Sequence, residues 1–407
     1  MPYIPILLLL FFLSFSYDFL GHKRGYNLGY YFIYLLLVVV SGFRYRIGAD
    51  TFAYQDFFEE EQVYLSDLSL ADYFSYRWEP LFIFFVALIK STINDFIFFQ
   101  IVHSIIINSV VFWFISSNTK NKFTAVFLYF LFLYVLVNME IAREALAVSV
   151  FLVSVKFLQN KKYVAYYLLA IIAFLFHYGA AISFVFPLIY GIRITLRRIF
   201  WLFVVVAGII INIDFIIAAA FSLGVPPIIF IKLVNYTEVS ENLNFMGILI
   251  AFLGYILFPC VLMQIENRIL RMRSRFYDFY PIFLLLGILV ICFPFISRFF
   301  NYLCLIGIIF LSDFVVELWK SNRFVFGTRY ILLTCILSMV LLWNGRYYFS
   351  DMSDLTGKNM RKYVHWYPYS SILDKTKNPD RESLQDYYSM INSLIPQHYS
   401  LTLFISA

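Results

Sequence analysis

Apolar positions along this chain fall into repeated runs of roughly 15–24 residues, broken by short stretches that hold Lys, Arg, Gly or Asn. Runs of that length reach across a hydrocarbon core of about 30 Å as helices, each residue adding about 1.5 Å. Lipid offers no hydrogen bonds, so each segment must satisfy its backbone internally. The pattern therefore predicts an all-α, polytopic membrane helical bundle. The first run, Met1 to Leu20, has no basic start and no small-residue cleavage site, and reads as a first membrane helix rather than a signal peptide.

Six connections are basic: His22-Lys23-Arg24, Lys120/Lys122, Lys156/Lys161/Lys162, Arg193/Arg197/Arg198, Arg268/Arg271/Arg273/Arg275 and Lys320/Arg323/Arg329. Lys and Arg collect in cytoplasmic loops, so all six are assigned inside. The connections left outside are Arg44–Glu79, the turns at Asn138–Arg143, His177 and Arg298, the stretch Leu223–Phe245, and the tail after Leu342. This predicts about 12 transmembrane helices with both termini outside. Residues 1–343 form the membrane domain with an external loop at 44–79, and residues 344–407 form an external polar cap.

Two pieces are too short for that scheme. Leu81–Ile89 offers about nine apolar residues before Lys90, too few to span, so Glu79–Ile93 reads as a half-helix or re-entrant piece before a full crossing at Phe96–Ile115. Tyr163–Tyr190 must go out and back with roughly 14 residues per leg, about 21 Å of helix. His177, at the turn, should then lie below the surface, facing a wet cavity as a neutral ring able to accept a proton. Broken helices with polar tips are how a bundle builds a site within the bilayer.

Composition agrees: 62% of residues are hydrophobic and 14% charged, with a mean hydropathy of +0.79, whereas a soluble domain is about one quarter charged. The net charge of +6 resides mostly in the inside loops and implies no nucleic-acid partner. Cys260, Cys292, Cys304 and Cys335 lie in apolar segments without ligand spacing and read as packing residues. The Arg44–Glu79 loop is different in kind, with eight carboxylates against three arginines. No phosphate-binding glycine loop, His-Glu-x-x-His pair or nucleophile elbow is present, which excludes the ATPase, zincin and α/β-hydrolase classes by motif. Nothing calls for a metal or cofactor.

Ionisable residues at the outer ends of membrane segments are costly and default to functional candidates. They are Arg44, Arg46, Asp50, Arg77, Glu79, Glu140, Arg143, Glu144, His177, Arg298 and, in the tail, His365. Guanidinium groups stay charged when desolvated and grip phosphate in a planar fork. With carboxylates and a histidine they suit a pyrophosphate leaving group beside a proton acceptor. Against this stand structural roles: helix anchoring for Arg44, Arg46 and Arg298, internal pairing of Arg143 and Glu144 with Glu140, and packing for His177. His103, Asp214 and Glu59-Glu60-Glu61 read as structural or solvated.

In order, the chain presents Phe43-Arg44-Tyr45-Arg46-Ile47-Gly48-Ala49-Asp50-Thr51, then Trp78-Glu79-Pro80-Leu81-Phe82, then Asn138-Met139-Glu140-Ile141-Ala142-Arg143-Glu144. Phe176-His177-Tyr178-Gly179, Arg298-Phe299-Phe300-Asn301-Tyr302 and Tyr367-Pro368-Tyr369 follow. This series resembles the EpsG family of exopolysaccharide proteins, within the wider set of Wzy-type oligosaccharide repeat-unit (O-antigen) polymerases. The resemblance implies a glycosyltransferase similar in architecture to the GT-C class. It would join undecaprenyl-pyrophosphate-linked glycans on the outer face of the bacterial cytoplasmic membrane, the site facing the periplasm or exterior. Membrane lipids, a chain-length regulator and a flippase are the partners it implies.

On this reading Arg44, Arg46, Arg143 and Arg298 bind the pyrophosphate, and Asp50, Glu79 or His177 accepts or orients the acceptor's proton; the sequence does not rank these three. The rival enzyme is an O-antigen ligase or another lipid-carrier glycosyltransferase. A transporter or flippase is the rival of another class, and it predicts inverted repeats that the chain lacks.

Overall fold

A computed structural model of the chain describes residues 2–61, 63–76, 78–193, 245–271, 273–321, 326–352 and 360–394, with single positions at 195, 197–198, 201, 204 and 208. Arg77, Asp214, Arg323 and the Leu223–Phe245 connection up to residue 244 lie outside the described residues. Most of those described are helical, with two isolated bridges, Arg44 to Ser371 and Asp351 to Arg361, and no strand among them. Among the described residues, four helices are long and apolar enough to cross a membrane: Phe96–Asn118, Lys122–Met139, Gly247–Leu270 and Ile296–Lys320. Shorter apolar helices of 10–17 residues, among them Tyr3–Phe19, Tyr26–Gly42 and Tyr163–Phe176, accompany these four. The chain is a membrane-embedded helical protein.

It divides into two compact units, residues 1–181 with 307–407, and residues 182–306. In the first, Tyr26–Gly42 packs along Phe96–Asn118, and Tyr3–Ser14 against Lys122–Tyr129. Apolar side chains gain little by pairing with each other rather than with lipid, so buried polar contacts select these pairings. Ser104 Oγ donates to Val38 O at 3.0 Å, Asn108 Nδ2 to Asn138 Oδ1 at 2.7 Å, Asn138 Nδ2 to the Tyr129 hydroxyl at 2.7 Å, and the Tyr134 hydroxyl to Leu37 O at 2.6 Å. His103, 1% exposed, sets Nε2 3.2 Å from Ala142 O and is a packing histidine.

Glu79-Pro80 starts a short helix, Pro80–Thr92. Proline suits the first helical position and pushes the residue before it into extended backbone; Glu79 has φ −68° and ψ 147°. The far end of this helix is tied to the polar loop. Lys90 Nζ donates to Phe58 O at 2.5 Å and Glu61 O at 2.6 Å. It thereby caps the C-terminal carbonyls of the Thr51–Glu60 helix, where a cation also suits the helix dipole. Glu59, Glu60 and Glu61 at that end are exposed to solvent.

The third construction is an antiparallel hairpin of Ala142–Gln159 and Tyr163–Phe176, closed through Lys161 in left-handed backbone at φ 57°. Beyond Phe176 the chain does not continue as a regular α-helix. His177 is extended, at φ −157° and ψ 123°, and a 3₁₀ stretch, Tyr178–Phe184, follows. The outgoing leg has the expected 14 residues; the return is more tightly wound than a second leg of that length.

In the second unit, Gly247–Leu270 packs on Tyr280–Cys292 around Ile256, Leu284 and Ile288, with Cys260 against this cluster. A Cβ on Gly287 would press on Tyr255 O, so the close approach of these helices requires glycine there. Arg298 lies half-buried in a 3₁₀ turn, Pro294–Phe299.

Candidate active site

Three segments distant in sequence meet at one carboxylate. Glu79, whose side chain is 3% exposed, sets Oε2 2.7 Å from Arg143 Nη1 and Oε1 2.9 Å from His177 Nδ1. The Tyr178 backbone N–H donates to the same Oε1 at 3.3 Å. Burial by itself would raise the Glu79 carboxyl. The hydrogen bond from His177 and the charge of Arg143 outweigh it and hold the carboxyl down at about 2, so Glu79 is ionised throughout the working range.

The hairpin explains how Arg143 and His177 come together. They lie 17 residues before and 17 after Asn160, so an antiparallel pair turning there brings both to one end. That end is about 26 Å along the helix axis from the turn. Glu79 is delivered to them because Pro80–Thr92 packs against Tyr163–Phe176.

Arg143 stands in the first turn of Ala142–Gln159, where the helix dipole disfavours a cation. Its surroundings compensate. Besides Glu79, the guanidinium lies 5.3 Å from the Trp78 ring centroid and 6.0 Å from that of Tyr54, and Nε reaches the Tyr54 hydroxyl at 3.5 Å. Burial raises the Tyr54 hydroxyl above its usual range despite the arginine, so it remains a protonated donor. Trp78 is itself covered by Tyr54, Phe57 and Phe82; it forms a wall for Arg143 rather than an open platform for a sugar. Neither Tyr54 nor Trp78 carries a sequence signal of its own for this role, although Trp78 directly precedes Glu79.

The ring of His177 meets carboxylates at both nitrogens. An ionised carboxylate only accepts, so Nδ1 carries the proton given to Glu79, and Nε2 points toward Glu144 Oε2 at 4.0 Å. Glu79 thus fixes the tautomer and aims Nε2, the arrangement in which a carboxylate orients an imidazole base.

The other expected site residues stand elsewhere. Arg44, 4% exposed, donates from Nη1 to Ser41 O at 2.6 Å and from Nε to Ile47 O at 3.4 Å, tying down its own turn. Burial lowers its guanidinium to about 10, so it remains charged. Arg46 forms a two-pronged pair with Glu382 at 2.7 and 2.6 Å. Asp50 lies at the start of Thr51–Glu60, close enough for its charge to act on Tyr54. Glu140 is 2% exposed at the corner before Ala142. His365 is buried in the tail, its carbonyl accepting from Gly48 N at 3.0 Å. Arg298 belongs to the second unit. The structure therefore gathers Glu79, Arg143 and His177, with Glu144 beside them, and gives Arg44 and Arg46 partners of their own. Among the described residues no group of three or more His, Cys, Asp or Glu is arranged to hold a metal ion.

No curated protein and no solved structure matches this chain. The sequence model of the EpsG family matches residues 27–371, a span that holds Glu79, Arg143 and His177, and the chain belongs to the EpsG family.

Proposed function

We propose that this protein is a polymerase that joins undecaprenyl-pyrophosphate-linked repeat units into a surface polysaccharide, O-antigen or exopolysaccharide, on the outer face of the cytoplasmic membrane. Family membership supports a polysaccharide-synthesis role of the polymerase type. The single observation that carries the mechanism is the meeting of Arg143, Glu79 and His177 at one buried carboxylate.

In the proposed reaction, a hydroxyl of the acceptor sugar gives its proton to His177 Nε2 as its oxygen attacks the anomeric carbon of the donor. The bond from that carbon to the pyrophosphate oxygen breaks, and undecaprenyl pyrophosphate departs with the bonding electrons. Glu79 keeps the imidazole aimed and stabilises the imidazolium; Glu144 stabilises it from the Nε2 side. Arg143, at a helix N-terminus that favours anions, receives the developing phosphate charge. Glu79 already offsets one positive charge, so a diphosphate needs a second cation.

The basic turn at Lys161-Lys162 lies about 26 Å of helix from the site, and its charge assigns it to the cytoplasmic side; this supports a site on the opposite side of the bilayer's midplane.

The test is polymer length in cells and in a reconstituted assay with lipid-linked repeat units. Arg143→Ala and His177→Gln should abolish long chains and leave single-repeat product, with protein present in the membrane at its normal level. A deletion strain lacking even single-repeat glycan on its final acceptor indicates a ligase instead. Normal chain lengths from both variants would rule out the proposed site.

A further inference from the structure

The tail is bound to the polar loop largely through main-chain atoms. Ile372 N donates to Phe43 O at 3.0 Å and Tyr45 N to Ser370 O at 2.9 Å, while the Tyr369 hydroxyl donates to Val40 O at 2.9 Å. Beside these bonds lies Arg381, 2% exposed. Its Nε donates to Val364 O at 3.0 Å, Nη1 to Arg46 O at 3.0 Å and Nη2 to Pro368 O at 2.8 Å. Only a guanidinium, with donors in a rigid planar fork, can hold three carbonyls in this way. Two of them belong to the tail and one to the loop, so Arg381 fastens one to the other.

The turn fastened in this way braces the corner that carries Arg143. Thr51 Oγ1 lies 2.7 Å from Ile47 O and 2.8 Å from Met139 O, so its single proton is shared between its own turn and that corner. Gly48, at φ +104°, lies so close to the Met139 carbonyl that a Cβ would collide with it. Met139 ends its helix, and after Glu140 and Ile141 the next helix starts at Ala142 with Arg143 second. A connected path thus runs from Arg381 through Arg46 O, Gly48 and Thr51 to Met139 O and the Arg143 corner.

We propose that Arg381 is a positioning residue for the reaction, holding the Arg46–Gly48 turn against Met139 and so setting how Arg143 meets Glu79. This rests on the role of Arg143 proposed above. Arg381 lies beyond residues 27–371 matched by the family, in a tail whose polar composition suggests only a cap. Misplacing a reacting group by about 1 Å costs up to about 10²-fold in rate.

Arg381→Gln, Arg381→Lys, Arg143→Lys and the Arg381→Gln/Arg143→Lys double variant are compared with the wild type by polymer yield and by amide hydrogen exchange in peptides covering residues 139–145. Arg381→Gln should cut yield at least about tenfold and speed exchange at 139–145 by about tenfold, at normal membrane abundance. Arg381→Lys should not restore either readout, because a point charge cannot span three carbonyls. The double variant should polymerise no worse than Arg143→Lys alone, since residues acting as one unit are non-additive. Normal yield from Arg381→Gln, or wild-type exchange at 139–145, overturns the role. Normal polymer from Arg143→Lys and from Arg143→Ala defeats the reading of the site instead, while exchange at 139–145 still reports whether Arg381 holds the corner. Should Arg381→Gln not accumulate, Arg381→Lys, which keeps the charge and loses the fork, decides on the same two readouts.

Discussion

His177 donates its Nδ1 proton to Glu79 Oε1 across 2.9 Å, between residues 98 apart in the chain. This bond fixes the tautomer, and with it which nitrogen is presented for chemistry.

Glu79→Gln keeps the shape of the side chain and removes its charge. An amide can present its N–H₂ to the imidazole and favour the wrong tautomer, and Arg143 loses its ionic partner. Polymerisation rate should fall by about 10²–10⁴-fold, the range associated with a positioned acid–base group, while Glu79→Asp falls less. Single-turnover rates with lipid-linked repeat units check this. Equal rates for Gln and wild type would show that Glu79 takes no part in the chemistry.

The same carboxyl sets an acid limit on stability. Its folded value of about 2 lies below the ordinary Glu value of about 4.3. The stabilisation is therefore fully present above about pH 4.3 and is lost as pH falls from there toward about 2. The melting-temperature gap between wild type and Glu79→Gln in detergent should stay constant from pH 8 to about 5 and narrow below about 4.3. A gap that closes between pH 7 and 5 would mean that the carboxyl is not held down by its partners.

Gly48→Ala places a methyl on the Met139 carbonyl and forces an L residue into backbone at φ +104°. Strain of that kind costs of order 1–3 kcal/mol, to which the collision adds. The variant should show reduced membrane abundance and a lowered melting temperature, whereas Gly21→Ala, also at positive φ but with nothing near its Cβ, should lose only the backbone contribution. Similar losses at the two positions would argue against a tight Gly48–Met139 contact.

Sidedness is checked with single cysteines and a membrane-impermeant thiol reagent in intact spheroplasts. Asp56→Cys should label from outside, and Lys161→Cys and Arg271→Cys only after permeabilisation. Labelling of Lys161→Cys in intact spheroplasts would invert the orientation and move the site to the cytoplasm.

What the sequence made legible follows from local rules. Glu79-Pro80 announces a helix start with the glutamate extended before it, and the structure has that geometry. The basic turn at Lys161-Lys162 announces a hairpin whose other end must hold both Arg143 and His177. The shortness of the Glu79–Ile93 piece is legible from its apolar length, whereas the bonds from Lys90 to Phe58 and Glu61 are not, because they join segments about 30 residues apart.

The arginines of the Arg44-Tyr45-Arg46 turn were harder to read. A guanidinium that binds pyrophosphate and one that satisfies backbone carbonyls look the same in sequence. Arg44 is engaged by carbonyls three residues to either side. Arg46 is engaged by a glutamate 336 residues away, a distance no periodicity reports. The roles of Trp78, Gly48 and Arg381 were hidden for the same reason, since each is defined by what approaches it from a remote segment.

The polar loop and the short helix after it are tied to each other at two places. Tyr54 rests on Trp78 and Phe82 near one end, and Lys90 is latched onto Phe58 and Glu61 at the other. Joined in this way they contribute Glu79 and Tyr54 to the site, while the helical hairpin opposite contributes Arg143 and His177. The site residues therefore face each other across a seam, and the hydrogen bond that aims His177 and the ion pair that holds Arg143 both cross it to the same carboxylate. Because both contacts end on Glu79, a shift of that one carboxylate disturbs the two of them together.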